Sequence, residues 1–426
     1  MVADGSREHE TAFVDPTPAT PAAMPRAPST ATRHRVCVVI GTRPEAIKLA
    51  PVINALRARP DAVDCVIVAT SQHRQMLRQA LDAFGLRPDV DLDLMWEAQD
   101  HREFTTRAMH ALRSSLADLC PAALLVQGDT STVAAAAMAG HASGVLVGHV
   151  EAGLRSGSLR DPFPEELNRR IASRVADLHF APTEHARRHL IAEGVAAEHV
   201  VVTGNTAVDA LKSFPLHGPL GDASLDALPW DRDRILLVTM HRRENHGLRL
   251  RQICAALDAI VARHPEVQLV LPVHRNPKVS GAVHEALGGR PRIHLVEPLP
   301  YPVLLGVLRR CHFVLSDSGG LQEEAPSFRK PILILRDRTE RPEVLEAGFG
   351  RLVGADPDAI AGETERLLGD PTAYAAMCRG ENPFGDGHAA PRIVDALLAR
   401  LAAPSTLAVP PAAPARVHPA RTPAHS

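Results

Sequence analysis

The sequence predicts an α/β protein built from two doubly wound domains that face each other across a cleft. Three observations carry this. Its 426 residues exceed what one hydrophobic core usually serves, which sets an expectation of two domains. Short apolar runs that read as buried parallel strands alternate with helical patterns from Val36 onward. The pattern then restarts at DRILLVTMHRRENHG, near residue 233, so two halves of alternating strand and helix follow one another along the chain.

Residues 1–33 and 403–426 are rich in Pro, Ala, Ser and Thr without hydrophobic periodicity, and read as disordered tails. Order begins with RVCVVIGTRPEAIKLAP: a buried strand at 36–40, a tight turn at Gly41 and a helix with Pro44 in its first turn, where a missing N–H costs least. A strand over 65–70 runs into the helix of SQHRQMLRQALDAFG, and a strand over 123–126 leads through QGDT into an Ala-rich helix suited to packing closely on a sheet. VLVGHVEAG reads as a strand leaving the sheet between Gly148 and Gly153. HFAPTEHA and VVVTGNTAVDAL close the first half, with 204–206 as a hinge and 213–233 as a linker. In the second half VQLVLPVHRNP, IHLVEPLPY, CHFVLSDSGGLQEEA and PILILRDRTERPEVLEAG each supply a strand and its following turn or helix. The expected boundaries are 34–206 for the first domain, 207–372 for the second, and 373–402 for a closing helical segment that packs back on the first.

Composition narrows the function. Lys and Arg number 47 against 49 Asp and Glu, a net charge of -2, which gives no electrostatic reason to expect nucleic acid or a membrane surface. The six cysteines are scattered, with no CxxC and no Cys/His cluster at metal-ligand spacing; they read as small core hydrophobes in a reducing cytosol. No apolar run reaches the length of a membrane span, and the N-terminus lacks a basic-then-apolar signal pattern. A cytoplasmic protein without a metal is the expectation.

Chemistry concentrates in HVEAGLRSGSLRDPFPEELNRRIASR, from His149 to Arg174. Glu151, Glu165 and Glu166 lie there with Arg155, Arg160, Arg169 and Arg170 around a loop of Gly, Ser and Pro, a poor recipe for a core. Glu151 projects from the carboxyl end of a strand, where open α/β sheets hold ligands, and Asp129 occupies the equivalent place after another strand. Asp129 has a competing reading as a helix N-cap, Arg43 and Lys48 as solvated surface charges, His241 as a surface histidine, and SDSGG as a plain tight turn. Glu166 is expected to point away from Glu165 and pair with Arg169 or Arg170. Pooling the strand tips gives Arg43, Lys48, Asp129, Glu151, Glu165, His241, Arg242, Ser318, Gly319, Glu324 and Arg341. The cations and the glycine-bearing helix start suit a diphosphate, Glu324 could accept from ribose hydroxyls, and clustered acids suit proton transfer because they push one another's pKa values apart. A nucleotide-sugar enzyme is the inference.

These residues resemble the non-hydrolysing UDP-N-acetylglucosamine 2-epimerases. GTRPEAIKLAP, QGDTST, GHVEAGLRSG, PFPEELNRR, HFAPTEHA, VTGNTAVDAL, HRREN, PVHRNP, SDSGGLQEEA, RTERPE and NPFGDG look like that family's signature blocks in its order, over about residues 35–401. The resemblance implies two Rossmann-like domains in the B-type glycosyltransferase architecture, a homodimer, no metal and no nicotinamide. It implies inversion at C2 of UDP-N-acetylglucosamine to give UDP-N-acetylmannosamine, by elimination of UDP to 2-acetamidoglucal and re-addition. Asp129, Glu151 and Glu165 then match the proton-transfer carboxylates and His241 an essential histidine near the diphosphate. Arg43, Lys48, Ser318, Gly319, Gly320, Glu324 and Arg341 match UDP-binding positions. Gln72, Gln75, Arg242 and His274 match an activator site whose arginine aligns with Ala98, so weaker dependence on activator is expected. Where many members carry an aromatic residue near the uracil, this chain has Pro302 and Leu304, with Tyr301 nearby. Rival readings are the hydrolysing relative that releases N-acetylmannosamine and UDP, a 2-epimerase of a modified UDP-sugar, and a B-type glycosyltransferase. The pathway, cell-envelope polysaccharide or secondary metabolite, stays open.

Overall fold

The computed structural model describes residues 33–71, 74–94, 101–160 and 162–403. The expected tails, Gln72 and Ala98 lie outside these residues, apart from Arg33 and Ala403 at the tails' inner ends.

Among the described residues, thirteen strands form two parallel sheets. The first contains β1 (His34–Ile40), β2 (Val63–Ala69), β3 (Val90–Asp91), β4 (Ala123–Gln127), β5 (Leu146–Val150), β6 (Leu178–Ala181) and β7 (Val200–Val202), in the order β3-β2-β1-β4-β5-β6-β7. The second contains β8 (Arg234–Thr239), β9 (Val267–Pro272), β10 (Ile293–Val296), β11 (Val314–Ser316), β12 (Ile332–Ile334) and β13 (Gly350–Leu352), in the order β10-β9-β8-β11-β12-β13. In its own count the second runs 3-2-1-4-5-6, the doubly wound order, and the first runs the same with a seventh strand added at the end. The order reverses between β1 and β4 and again between β8 and β11, and such switch points open crevices at the carboxyl ends of strands.

The local sequence explains the layering. Strands such as β1, with Val36–Ile40 almost fully buried, are apolar on both faces because helices cover both sides of the sheet. Helix Ser131–Ala142 packs on β1, β4 and β5 and buries Ala134–Ala137, Ala139 and Gly140. A Cβ on Gly140 would come within 2.7 Å of Leu124 and 2.8 Å of Val147, so a small residue is what permits this close approach. The cap of that helix is Thr130, whose hydroxyl accepts from the Val133 N–H. Asp129 is thus not the cap, and its carboxylate is free for another partner. The cysteines depart from the expectation of uniform burial: Cys37, Cys254 and Cys311 are buried, whereas Cys120 is exposed.

The chain returns to its beginning at the end. Helix Ala389–Ala402 packs on helices Arg43–Arg57 and Thr206–Leu211, burying Ile393, Val394 and Leu397. Its first free N–H groups, on Ala389 and Ala390, donate to the Asp209 carboxylate at 3.1 and 2.8 Å, so a helix of the first half caps the last helix. The expected hinge at 204–206 is tied down there, because Asn205 N donates to Phe384 O at 2.7 Å and Asn205 caps helix Thr206–Leu211. The expected linker at 213–233 holds the short helix Ala223–Asp226, capped by Asp222.

The turn after β5 makes special demands on the backbone. Glu151 has φ of +63° and Gly153 φ of +93°, and a Cβ on Gly153 would lie 2.2 Å from Ala186 O. Backbone cannot yield as a flexible side chain can. Gly153→Ala is expected to cost about 2–4 kcal/mol from the left-handed conformation and the clash together; urea denaturation with an unchanged midpoint would contradict this account of the turn.

Candidate active site

Glu151 stands at the carboxyl end of β5, and its left-handed backbone is of the kind that sparsely populated conformations at functional positions take. Its carboxylate is gripped from three sides. Lys48 Nζ, from helix Arg43–Arg57, and Gln127 Nε2, from β4, both lie 2.5 Å from its Oε2. Arg341 of the second half reaches its Oε1 at 3.3 Å. The same two cations serve Glu323: Lys48 Nζ is 2.7 Å from its Oε2, an ion pair without hydrogen-bond alignment, and Arg341 Nε is 2.6 Å from its Oε1. Arg341 also holds Glu340 at 2.7 Å and lies flat over Gly319, where a Cβ would come within 2.6 Å of its Nη1.

Burial sets the acid strengths. It pushes Glu151 up, and the charge of Glu323 adds to the rise against the pull of Lys48 and Arg341. Burial would also raise Glu323, but Arg341 and Lys48 overcome it and hold that carboxyl below its ordinary value. For Arg341 burial works downward, and Glu323, Glu340 and Glu151 hold it above the usual arginine value.

Asp129 is fixed through its backbone and its side chain. His149 Nε2 lies 2.8 Å from Gly128 O, Asn168 Nδ2 donates to Asp129 O at 2.9 Å, and Arg169 Nη2 meets the carboxylate at 2.5 Å. Burial raises Asp129, but Arg169 outweighs it and the carboxyl ends below its ordinary value. Arg169 and the two glutamates belong to one helix, Glu165–Val175. Glu166 pairs with Arg169 and Arg170, each at 3.2 Å, as the spacing requires, and accepts from Ser156 N at 3.0 Å. Glu165 differs: its Oε2 is shut from solvent with no hydrogen-bond partner among the described residues.

On the second sheet, His241 follows β8 and Asp317 follows β11, side by side at the switch point. His241 Nδ1 is 2.9 Å from Asp317 Oδ1. That carboxylate also accepts from the backbone N–H of His241 and Arg242 and from Asn245 Nδ2, at 2.9–3.1 Å. Burial raises Asp317, yet His241 and these donors bring it down to about 2. A histidine held through Nδ1 turns its other nitrogen outward.

Ser318, Gly319 and Gly320 form the turn into helix Gly319–Glu324. Ser318 N donates to Ser316 Oγ at 2.9 Å. Glu324 accepts from Tyr301 Oη at 2.9 Å, and burial lifts it to about 7. Tyr301 is itself packed against Phe84 and Phe214, which makes it a support for Glu324 rather than an open stacking face. Arg43 reaches across the halves to donate to Leu299 O at 3.0 Å. Of the residues expected from the resemblance at an activator site, Arg242 lies 3.5 Å from Glu340 and so joins the central network. His274 lies over His241 with ring centroids 6.1 Å apart, and Gln75 accepts from Arg275 at 3.4 Å.

Glu323, Glu340, Asp317 and Gln127 were not singled out from the sequence. Glu323, Glu340 and Asp317 stood inside motifs already read, SDSGGLQEEA and RTERPE, but next to more conspicuous neighbours. Gln127 belongs to the expected QGDT turn, whereas in the structure it ends β4.

A family model described as UDP-N-acetylglucosamine 2-epimerase matches residues 54–398. The Bacillus subtilis UDP-N-acetylglucosamine 2-epimerase is 46% identical over 364 residues, covering 85% of this chain and 95% of its own. The Escherichia coli K12 enzyme of that name is 43% identical over 371 residues, covering 85% and 98%. The chain belongs to the UDP-N-acetylglucosamine 2-epimerase family. The crystal structure of the Neisseria meningitidis epimerase bound to UDP-GlcNAc is similar with a TM-score of 0.81 at 40% identity, covering 86% of this chain and 100% of that one. As a member of an isomerase family the chain is an enzyme, and its two parallel sheets have the architecture expected of it. No helix among the described residues is long and apolar enough to cross a membrane.

One buried acid of this epimerase-family site ties the two switch-point loops together. Glu45 accepts from Gly41 N at 2.5 Å, Thr42 N at 3.2 Å and Thr130 Oγ1 at 2.5 Å, and burial raises it from 4.5 to about 7. The unfolded chain releases this proton near 4.5 while the folded chain keeps it until about 7. The contribution to stability is therefore full below about 4.5 and declines as pH rises to about 7. Measured against Glu45→Gln, wild-type stability is expected to fall by about 3 kcal/mol over that interval; a difference independent of pH would contradict it.

Proposed function

We propose that the chain is a non-hydrolysing epimerase that interconverts UDP-N-acetylglucosamine (UDP-GlcNAc) and UDP-N-acetylmannosamine. A carboxylate removes the C2 proton as the C1–O bond breaks and its electrons leave with UDP, giving 2-acetamidoglucal. An oxygen of the UDP β-phosphate then rebonds to C1 while a second carboxyl group delivers a proton to the other face of C2.

The observation that carries this reading is the divided tuning of the acids on the strand tips. Asp129 is held charged by Arg169, which suits a base, whereas Glu151 retains its proton more tightly, which suits an acid; environments that push two carboxyls apart mark such assignments. Glu165, with an oxygen lacking any described partner, is the third candidate. A C2 proton beside an acetamide-bearing carbon is weakly acidic, so departure of UDP must be far advanced and cations must stabilise charge on the diphosphate. Lys48, Arg43 and Arg341 take that part, with Ser318, Gly319 and Gly320 at the diphosphate, Glu324 at the ribose, and His241, backed by Asp317, beside the leaving group. The relatives' printed activity and the UDP-GlcNAc bound in the Neisseria meningitidis structure support the substrate. The reading calls for neither metal nor nicotinamide, and it includes a homodimer in the cytoplasm.

Proton NMR with UDP-GlcNAc in deuterated water tests it. UDP-N-acetylmannosamine is expected, with deuterium at C2 of both sugars; accumulation of free N-acetylmannosamine and UDP would hand the case to the hydrolysing reaction. Asp129→Asn and Glu151→Gln are each expected to lower kcat by about 100-fold or more, with circular dichroism unchanged. Near-normal turnover in either variant removes that residue from the chemistry.

A further inference from the structure

Glu323 has no part in the reaction as written, yet few acids in the protein are so completely enclosed. It is fully buried and shares both of its cations with Glu151: Lys48 at 2.7 against 2.5 Å, and Arg341 at 2.6 against 3.3 Å. The four make a closed square of two cations and two carboxylates. Lys48 and Glu151 come from the first half, Glu323 and Arg341 from the second. With the uncharged Gln127 at 2.5 Å, Lys48, Glu323 and Arg341 are the groups that face the Glu151 carboxylate. A doubly charged diphosphate bound by Lys48 and Arg341 competes with both carboxylates for the same positive charge, and attraction falls as each ion pair lengthens.

We propose that Glu323 is the resident counter-ion of the diphosphate subsite: a positioning residue that holds Lys48 and Arg341 for the substrate and, on yielding them to it, leaves Glu151 to take a proton from solvent. The inference rests on the reading of Lys48 and Arg341 as diphosphate ligands. Its physical basis is the square itself. Burial and the neighbouring Glu323 already raise the proton affinity of Glu151, and Lys48 and Arg341 are what restrain it. Once those cations turn to a diphosphate, two adjacent buried carboxylates are left facing each other, and such a pair takes up one proton between them. Glu151, the one with the higher proton affinity, receives it. Arrival of the substrate thereby arms the acid that the second half of the reaction needs.

Calorimetry of UDP-GlcNAc binding to the wild-type chain at pH 7, in two buffers of different ionisation enthalpy, reads this proton directly. Epimerisation moves no net proton, and the diphosphate diester does not titrate in that range. Uptake of a large fraction of one proton per site is expected, and binding without uptake overturns the proposal. Glu323→Gln is expected to bind UDP-GlcNAc about ten-fold more tightly, because a competing charge is gone, and to turn over more slowly. Glu323→Asp, which keeps the charge, is expected to return affinity to the wild-type value. A merely structural role predicts weaker binding in both variants, and that result also overturns the proposal. If Glu323→Gln does not fold, the wild-type calorimetry decides alone. A wild-type chain that neither binds nor converts UDP-GlcNAc defeats the functional reading itself, whereas normal conversion without proton uptake defeats this inference and leaves that reading standing.

Discussion

The buried ion square of Lys48, Glu151, Glu323 and Arg341 is the constraint on which the rest of the structure depends. Each of these side chains is nearly or fully out of water, where a lone charge costs several kcal/mol and is tolerated only when paired and hydrogen-bonded. Neither half of the chain contains the whole set. Lys48 of helix Arg43–Arg57 pairs with Glu151 within the first half at 2.5 Å, and Arg341 pairs with Glu323 within the second at 2.6 Å, so each half brings one cation and one carboxylate, and only when the halves meet does each cation serve both carboxylates. Other contacts across the seam follow the same logic: Thr183 Oγ1 donates to Glu343 at 2.5 Å and Arg169 lies 3.7 Å from Glu340. A charged seam of this kind favours one geometry of approach more than it adds stability, because desolvation offsets much of the Coulomb gain.

Within that frame, each acid is aimed by a neighbour from another strand or helix. Glu151 sits in a left-handed conformation that an unbranched acid adopts reluctantly, and contacts from β4, from helix Arg43–Arg57 and from the second half hold it there. Asp129 is fixed by His149 through the preceding carbonyl and by two residues of helix Glu165–Val175. His241 takes its orientation from Asp317. Helix Gly319–Glu324 has no room for a side chain at Gly319, since the Arg341 guanidinium lies on it; the glycine is required by the arginine's position as well as by the turn. Rigid placement of this sort is what a site needs when charge develops on reacting atoms and must meet preset partners.

Much of this was legible in the sequence, and the reasons are specific. Strand tips could be located because apolar runs such as VCVVI and ALLVQ end abruptly in glycine, and topology puts those ends on one side of the sheet. Asp129 was found for that reason, and Glu151 and His241 because the runs VLVGHV and ILLVTM pass directly into charged or ionisable residues. The reading of Glu166 as a partner of Arg169 and Arg170 held because helical spacing decides it locally. Glu323 and Glu340 escaped because their importance is not local: a glutamate beside another glutamate on a short helix looks like surface until a lysine 275 positions earlier is seen against it. Thr130 displaced Asp129 as helix cap for a similar reason. Either could satisfy the free N–H groups, and the presence of Arg169 on a distant helix is what draws the Asp129 carboxylate elsewhere.

The arrangement also bears on how one protein could remove and deliver a proton at the same carbon. Two acids in equivalent surroundings would share one proton affinity, and the reaction would have no preferred direction of transfer on either face. Here the surroundings differ by design of the fold: Asp129 faces an arginine on its own side of the cleft, whereas the charge of Glu151 is balanced partly by residues across it. The state of Glu151 therefore depends on the seam between the halves and on whatever else engages Lys48 and Arg341, while that of Asp129 depends chiefly on Arg169 within the first half. Under the proposed reaction this couples the acid to the diphosphate and leaves the base constant, so the two proton transfers are separated by the binding and departure of the leaving group itself.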